Sequence, residues 1–207
     1  MRFLPFSRRA LLTIGSLFMS TAASAQSLEL SGDGVESDII SVTIDDDDNL
    51  DWQYLSSDSD YATRVDISNG TNIGESGDNL VPGPWTGSGY QVAYTSRNGK
   101  KVDWVVLDGA SETSVEFGLR KDKYLIPGDF NGNGTFDAAR ISTPGAIRVL
   151  ADPFHGGSAT YQGNFLKKHV KQSQDAFRLN LTGDRDQVGI IRKIKKSKTF
   201  KIYLKDV

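Results

Sequence analysis

The chain has 207 residues, 24 Lys/Arg against 26 Asp/Glu, 38% hydrophobic residues and no cysteine. That is enough apolar material for one domain with a core, and the absence of thiols excludes disulfide stapling, thiolate metal sites and cysteine nucleophiles. With 21 glycines and almost no helical periodicity, the composition favours short strands and tight turns over a helical fold.

In chain order, Met1–Ala25 reads as an address. Arg2, Arg8 and Arg9 precede the apolar run Ala10–Met19, and Ala23-Ser24-Ala25 is a small-x-small cleavage pattern. Ser7-Arg8-Arg9-Ala10-Leu11-Leu12 fits a twin-arginine export signal, with an ordinary Sec signal as the alternative. The run is too short to span a membrane as a helix, and no later stretch is apolar enough. The expectation is an exported protein, periplasmic or extracellular, that starts near Gln26 and has no transmembrane segment in the mature chain.

From residue 26 to residue 207 one pattern of strand, glycine-rich loop, strand, hairpin, aromatic or aliphatic marker strand and final strand recurs, over about 28–70, 78–118, 123–163 and 176–207. The first copy supplies Leu28–Leu30, Ile39–Ile44, Leu50–Ser56 and Ala62–Ser68. The second supplies Asn79–Trp85, Gln91–Thr95, Val102–Asp108 and Thr113–Gly118. The third runs Lys123–Phe130, Ala138–Ser142, Ala146–Ala151 and Ser158–Gly163. The fourth has Ala176–Leu181, Val188–Lys193 and Phe200–Lys205, and lacks an outer strand. Asn164–Phe177 is the one stretch with a helical rhythm. The marker residues Trp52, Trp104, Ile147 and Phe200 are expected to pack between neighbouring sheets, each large ring contributing about 2–3 kcal/mol when buried.

The glycine-rich loop is best developed in Pro127–Ile141, PGDFNGNGTFDAARI. Asp129, Asn131, Asn133 and Asp137 place oxygen-bearing side chains at positions 1, 3, 5 and 9, with Gly134 at 6 and the Thr135 carbonyl available at 7. A hard cation such as calcium takes oxygen ligands at this kind of spacing. Arg140 stands where an EF-hand would carry its glutamate, so the loop is a turn between strands and not an EF-hand. The alternative is a turn in which Asp and Asn cap their own backbone. The second loop, with Pro84, Thr86 and Ser88, has no carboxylate to hold a metal. The first, with Glu29, Asp33 and Asp38, and the fourth, with Asn180, Asp184 and Asp186, depart further from the pattern.

Phe117-Gly118, Ile126-Pro127-Gly128-Asp129 and the Asp/Asn/Gly loop resemble the FG-GAP/VCBS-type repeat, the blade of integrin-α-like β-propellers. The resemblance extends over nearly all of the chain after the signal. It implies an all-β, β-propeller-like fold of about four short antiparallel blades, a structural calcium ion at the third loop, and a binding or interaction module rather than a particular chemistry. A closed four-bladed ring is the first arrangement to expect, and an open array completed by a second chain the next.

Charge separates along the chain. From Gln26 to Gly163 there are 9 Lys/Arg against 22 Asp/Glu, and from Asn164 to Val207 there are 12 against 4. The repeat alignment puts Asp45, Asp46, Asp47 and Asp48, then Lys100 and Lys101, then Lys195, Lys196 and Lys198 in equivalent hairpins on one face. The insertion carrying Lys167, Lys168 and Lys171 belongs to that face too. It is a candidate surface for an anionic glycan or for another protein, including head-to-tail self-association; nucleic acid is not expected for an exported chain with an acidic body. Neither His155 nor His169 has a metal-ligand spacing or a nucleophile beside it, and no motif specifies catalysis. A polysaccharide lyase or hydrolase on the same scaffold is the enzymatic alternative.

Overall fold

The computed structural model describes residues 38–68, 72–87, 89–108, 111–181, 183–194 and 200–207. The segments 1–37 and 195–199, and with them the expected export signal, Leu28–Leu30, Glu29, Asp33, Lys195, Lys196 and Lys198, lie outside the described residues.

The described chain is all-β apart from one short α-helix and two single 3-10 turns at Ser57–Ser59 and Pro153–His155, and its strands form four antiparallel sheets in which each strand pairs with its neighbour in sequence. The first sheet holds β1 (Ile39–Ile44), β2 (Leu50–Leu55) and β3 (Arg64–Asp66). The second holds β4 (Asn79–Leu80), β5 (Val92–Asn98), β6 (Lys101–Asp108) and β7 (Ser111–Leu119). The third holds β8 (Tyr124–Gly128), β9 (Asp137–Ile141), β10 (Ala146–Leu150) and β11 (Ala159–Asn164). Helix α1 (Lys167–Gln172) leads to the fourth, β12 (Asp175–Leu179), β13 (Gln187–Lys193) and β14 (Phe200–Asp206). These bounds follow the alternation read from the sequence closely. The largest difference is β4, which is regular over two residues where a seven-residue strand was expected; beyond Leu80 the pairing with β5 continues only through Val81 N–H to Ala93 O and an isolated bridge between Gly83 and Gln91, because the chain then turns into the loop around Trp85.

The core lies between consecutive sheets. Period-two alternation sends Val102, Trp104 and Val106 of β6 one way and Val105 and Leu107 the other. The first group packs with Trp85, Ala93 and Phe117 against Phe136, Ala138 and Leu150 of the third sheet. The second group packs with Val92 and Tyr94 against Leu50 and Trp52 of the first sheet. In the third sheet, Ile126, Ala139, Ile141, Ile147 and Val149 face Val188 and Ile190 of the fourth, and Phe165 and Val170 close the edge. The inner strands β5, β6 and β9 of the two middle sheets are therefore covered on both faces and are largely apolar for that reason, whereas the outer strands β7 and β11 stay mostly exposed.

The fourth sheet departs from expectation. Trp52, Trp104 and Ile147 are fully or almost fully buried, whereas Phe200 is 52% exposed. Cross-strand pairing puts Phe200 and Lys193, Ile202 and Ile191, and Leu204, Gly189 and Phe177 on one face. That face is turned away from the third sheet. No described hydrophobic cluster joins it to the first sheet, so Phe200 lacks the neighbour that buries the other three marker residues.

Candidate functional site

At one end of the sheets the glycine-rich loops meet. The loop between β8 and β9 is closed by its own acidic side chains. The Asp129 carboxylate accepts from the backbone N–H of Gly132 at 2.7 Å, Asn133 at 3.0 Å and Gly134 at 2.8 Å. Asn131 Oδ1 accepts from Asn133 N at 3.0 Å, and Asn133 Oδ1 accepts from Thr135 N at 2.9 Å and Thr135 Oγ1 at 2.7 Å. Asp137, fully buried at the start of β9, accepts from the backbone N–H of Phe130, Asn131 and Asp152 at 2.9, 3.1 and 2.9 Å. Burial pushes its carboxyl up to about 6 against the pull of those donors.

A sixth oxygen-bearing side chain, which the motif does not include, joins the group. Asp152, in the left-handed conformation at φ 46°, takes Asn133 Nδ2 at 2.6 Å and Thr135 Oγ1 at 2.9 Å on Oδ1, with Asn131 Nδ2 at 3.3 Å from Oδ2. In sequence it opens the turn Asp152-Pro153-Phe154-His155-Gly156-Gly157, outside the glycine-rich motif. Arg140 leaves the loop altogether and pairs with the buried Asp122 at 2.6 Å, as expected if position 12 is no ligand.

Gly132 is needed where it stands. It sits at φ 78°, and a Cβ there would lie 2.6 Å from the Asp184 carbonyl oxygen. That closeness reflects docking by the fourth loop. Asp186 N–H donates to the Asp129 carbonyl at 2.7 Å, and Asp129 N–H donates to Asp186 Oδ2 at 2.8 Å. Asp184 and Asp186 thus brace the third loop, and Asn180 caps its own turn by accepting from Gly183 N at 2.6 Å. Asp38 is buried and bonded to Ser57, away from these loops.

The second loop shows what the same turn does without acid. Trp85 N and Thr86 N, which align with Phe130 N and Asn131 N, donate to Gln91 Oε1 at 2.7 and 3.3 Å. A neutral amide there does the closing that Asp137 does in the third loop. Pro84 O in turn accepts from Phe136 N at 2.7 Å, tying the second loop to the third.

Asp129, Asn131, Asn133, Thr135, Asp137 and Asp152 therefore form one hydrogen-bonded set, all with oxygen available, which in kind suits a hard cation. Among the described residues no three His, Cys, Asp or Glu side chains converge as a metal-holding cluster. The carboxylates of Asp129 and Asp137 point to main-chain donors. A carboxylate has about four lone-pair sites, so acceptance of these N–H groups leaves capacity for an ion.

The charged hairpins lie at the opposite end. Asp45, Asp46, Asp47 and Asp48 form the exposed turn between β1 and β2, with Asp45 Oδ1 accepting from Asp47 N at 2.9 Å and Asn49 N at 2.8 Å. Those bonds, the Asn49 N–H above all, hold its carboxyl below the ordinary range. Lys100 and Lys101 turn β5 into β6, and Lys101 pairs with Glu116. Lys167, Lys168 and Lys171 lie on α1. Three hydrogen bonds tie the β5–β6, β7–β8 and β9–β10 turns and the segment before α1 together: Arg120 N to Lys100 O at 3.0 Å, the Thr143 hydroxyl to Lys121 O at 3.2 Å, and Phe165 N to Gly145 O at 2.9 Å. Gly99, Lys100, Leu119, Arg120 and Lys121 line a cleft of about 400 Å³ at this end. Arg120 and Lys121, in the β7–β8 turn, are its cationic residues that the sequence reading left out. His169 is stacked on Tyr203, with ring centroids 4.0 Å apart.

Among the described residues no helix is long and apolar enough to cross a membrane. The chain matches no protein-family model, and comparison with curated proteins and with solved structures gives no match.

Proposed function

We propose that this is an exported, propeller-like binding module of FG-GAP/VCBS type, non-catalytic, whose basic cleft between hairpins takes an anionic glycan. The observation that carries the reading is the cleft at the hairpin end, lined by Lys100, Arg120 and Lys121 together with the apolar Leu119. Three cationic residues and an apolar one lining one cleft suit a sugar ring bearing carboxylate or sulfate, with electrostatics raising the encounter rate and salt weakening it. Supporting the architecture are four consecutive antiparallel sheets whose apolar faces meet in order. Titration with sulfated or uronate-containing oligosaccharides, against neutral ones, tests the function. Binding without turnover is expected, weakened about tenfold or more by Lys100→Glu with Arg120→Glu. No preference for the anionic sugars removes the proposal, and product formation moves it to the lyase or hydrolase alternative.

We also propose calcium as a structural ion of the third loop, held by Asp129, Asn131, Asn133 and Asp137 side chains and the Thr135 carbonyl. The ion supplies positive charge among carboxylates that otherwise repel. Affinity in the range of extracellular modules, about 10⁻⁴–10⁻³ M, is expected for two charged ligands. At a calcium concentration a hundred times the dissociation constant, stabilisation is about 2.7 kcal/mol, a rise of several degrees in melting temperature over chelator. Asp129→Ala abolishes that rise. A parent protein that melts identically in calcium and chelator has no such ion.

A further inference from the structure

We infer that the inward face of the fourth sheet, where it meets α1, binds a doubly charged oxyanion, a sulfate or phosphate ester, among Lys168, His169, Arg192 and Lys201. Cross-strand register fixes the frame. Ile190 lies opposite Tyr203 and Arg192 opposite Lys201, so Arg192, Lys201 and Tyr203 share the face that looks toward the third sheet. Val188 and Ile190 of that face are buried against the third sheet, and Tyr203 packs on the same cluster. Helix α1 lies against β13, and the His169 ring stacks on Tyr203 with centroids 4.0 Å apart. His169 thus stands next to the Arg192–Lys201 pair.

Charge on this face is one-sided. Its titratable positions are Arg178 on β12, Arg192 on β13, and Lys201, Tyr203 and Lys205 on β14, with no aspartate or glutamate among them. The two acids of these strands, Asp175 and Asp206, alternate onto the outward face. Arg178 is answered by Asp186, 3.4 Å away, and Lys205, opposite Val188, stands toward the far end. The third sheet meets the face with uncharged aliphatic residues. Among the described residues none of Lys168, Arg192 and Lys201 is ion-paired. Like charges directly opposite each other weaken a sheet, so Arg192 across from Lys201 costs stability unless an anion lies between them.

The donors select the ligand. A guanidinium from β13, an ammonium from β14 and an imidazole from α1 suit a group with several equivalent oxygens and two charges. A planar carboxylate is satisfied by one arginine fork and leaves the other cations unanswered. Partial loss of water, and then Lys168, Arg192 and Lys201, hold the His169 imidazole below its ordinary value. A bound oxyanion opposes those three cations, so it raises the pH at which His169 titrates. The site does not depend on the glycan reading, because Lys100, Arg120 and Lys121 take no part in it.

Titration with sodium sulfate, against sodium chloride at matched ionic strength, tests this through the NMR signals of the His169 ring. Saturable binding is expected, with the His169 titration midpoint moving up and acetate binding about tenfold more weakly or worse. Arg192→Gln with Lys201→Gln should weaken sulfate about tenfold or more, yet melt in chloride at or above the parent temperature, because the like-charged pair is gone. Lys201→Gln alone, at an exposed position, gives the same test with a smaller loss, about threefold, if the double variant does not fold. Lys100→Glu with Arg120→Glu should leave sulfate affinity at His169 unchanged. Galactose 6-sulfate and glucose 6-phosphate, titrated side by side, identify which ester is the source. The inference is overturned by His169 signals that respond to sulfate no more than to chloride, by acetate binding as tightly as sulfate, or by Lys201→Gln and the double variant binding sulfate like the parent. A double variant that melts several degrees lower in chloride also overturns it, since the two cations would then hold the sheet together.

Discussion

Asp137→Ala is expected to destabilise the protein by about 3–5 kcal/mol and to lower its melting temperature by roughly 10 °C, with or without calcium. The substitution leaves the N–H groups of Phe130, Asn131 and Asp152 without their acceptor at a fully buried position. Each buried unsatisfied donor costs about 1–3 kcal/mol, and melting temperature moves by about 2–4 °C per kcal/mol in a chain of this size. The pH dependence has a definite sign. Because burial raises this carboxyl from 3.8 to about 6, the folded protein holds the proton more tightly than the unfolded chain does. Measured in chelator, its contribution to stability is fully present below the unfolded value and declines as pH rises through about 6. A melting curve for Asp137→Ala that overlays the parent would show that the loop does not depend on this acceptor.

Trp85→Ala should cost about as much, roughly 3–5 kcal/mol, and for an unrelated reason. Trp85 is fully buried and donates its indole N–H to Val81 O at 2.8 Å. Its ring lies 5.5 Å from Trp104, 5.5 Å from Phe136 and 5.8 Å from Phe154, so truncation hollows the interface between the second and third sheets. Denaturant unfolding is the measurement. A loss below about 1 kcal/mol would mean that these two sheets do not rely on the cluster. Since Trp85 belongs neither to the basic cleft nor to the cluster around His169, glycan and sulfate affinity should stay at parent values under conditions where the variant remains folded.

Strands were legible wherever one residue in two was apolar, because that alternation records which side of a sheet meets another sheet. This is why β6, with Val102, Trp104 and Val106 on one side and Val105 and Leu107 on the other, could be drawn from the sequence nearly to the residue. The third loop was legible as a turn built from Asp and Asn. Its self-capping could be foreseen as one of two outcomes, but Asp152 could not, since it arrives from beyond β10 and is brought in by tertiary folding. Gln91 was equally hidden: an amide has no motif, and only the shared donors Trp85 N and Thr86 N show that it acts where Asp137 acts. The exposure of Phe200 was misjudged on sequence because a hydrophobic residue on a strand reveals a face, while what lies across from that face belongs to the arrangement of sheets.

The exchange of Gln91 for Asp137 gives neighbouring turns of one shape different sensitivity to the medium. The amide-closed turn contains no titrating acceptor, so its closure does not vary with acidity. The acid-closed turn does contain one, since burial raises Asp137 to about 6, and the fourth sheet docks on that same turn through Asp186 and Asp129. Acidity therefore reaches the junction of the third and fourth sheets and leaves the closure of the second loop untouched.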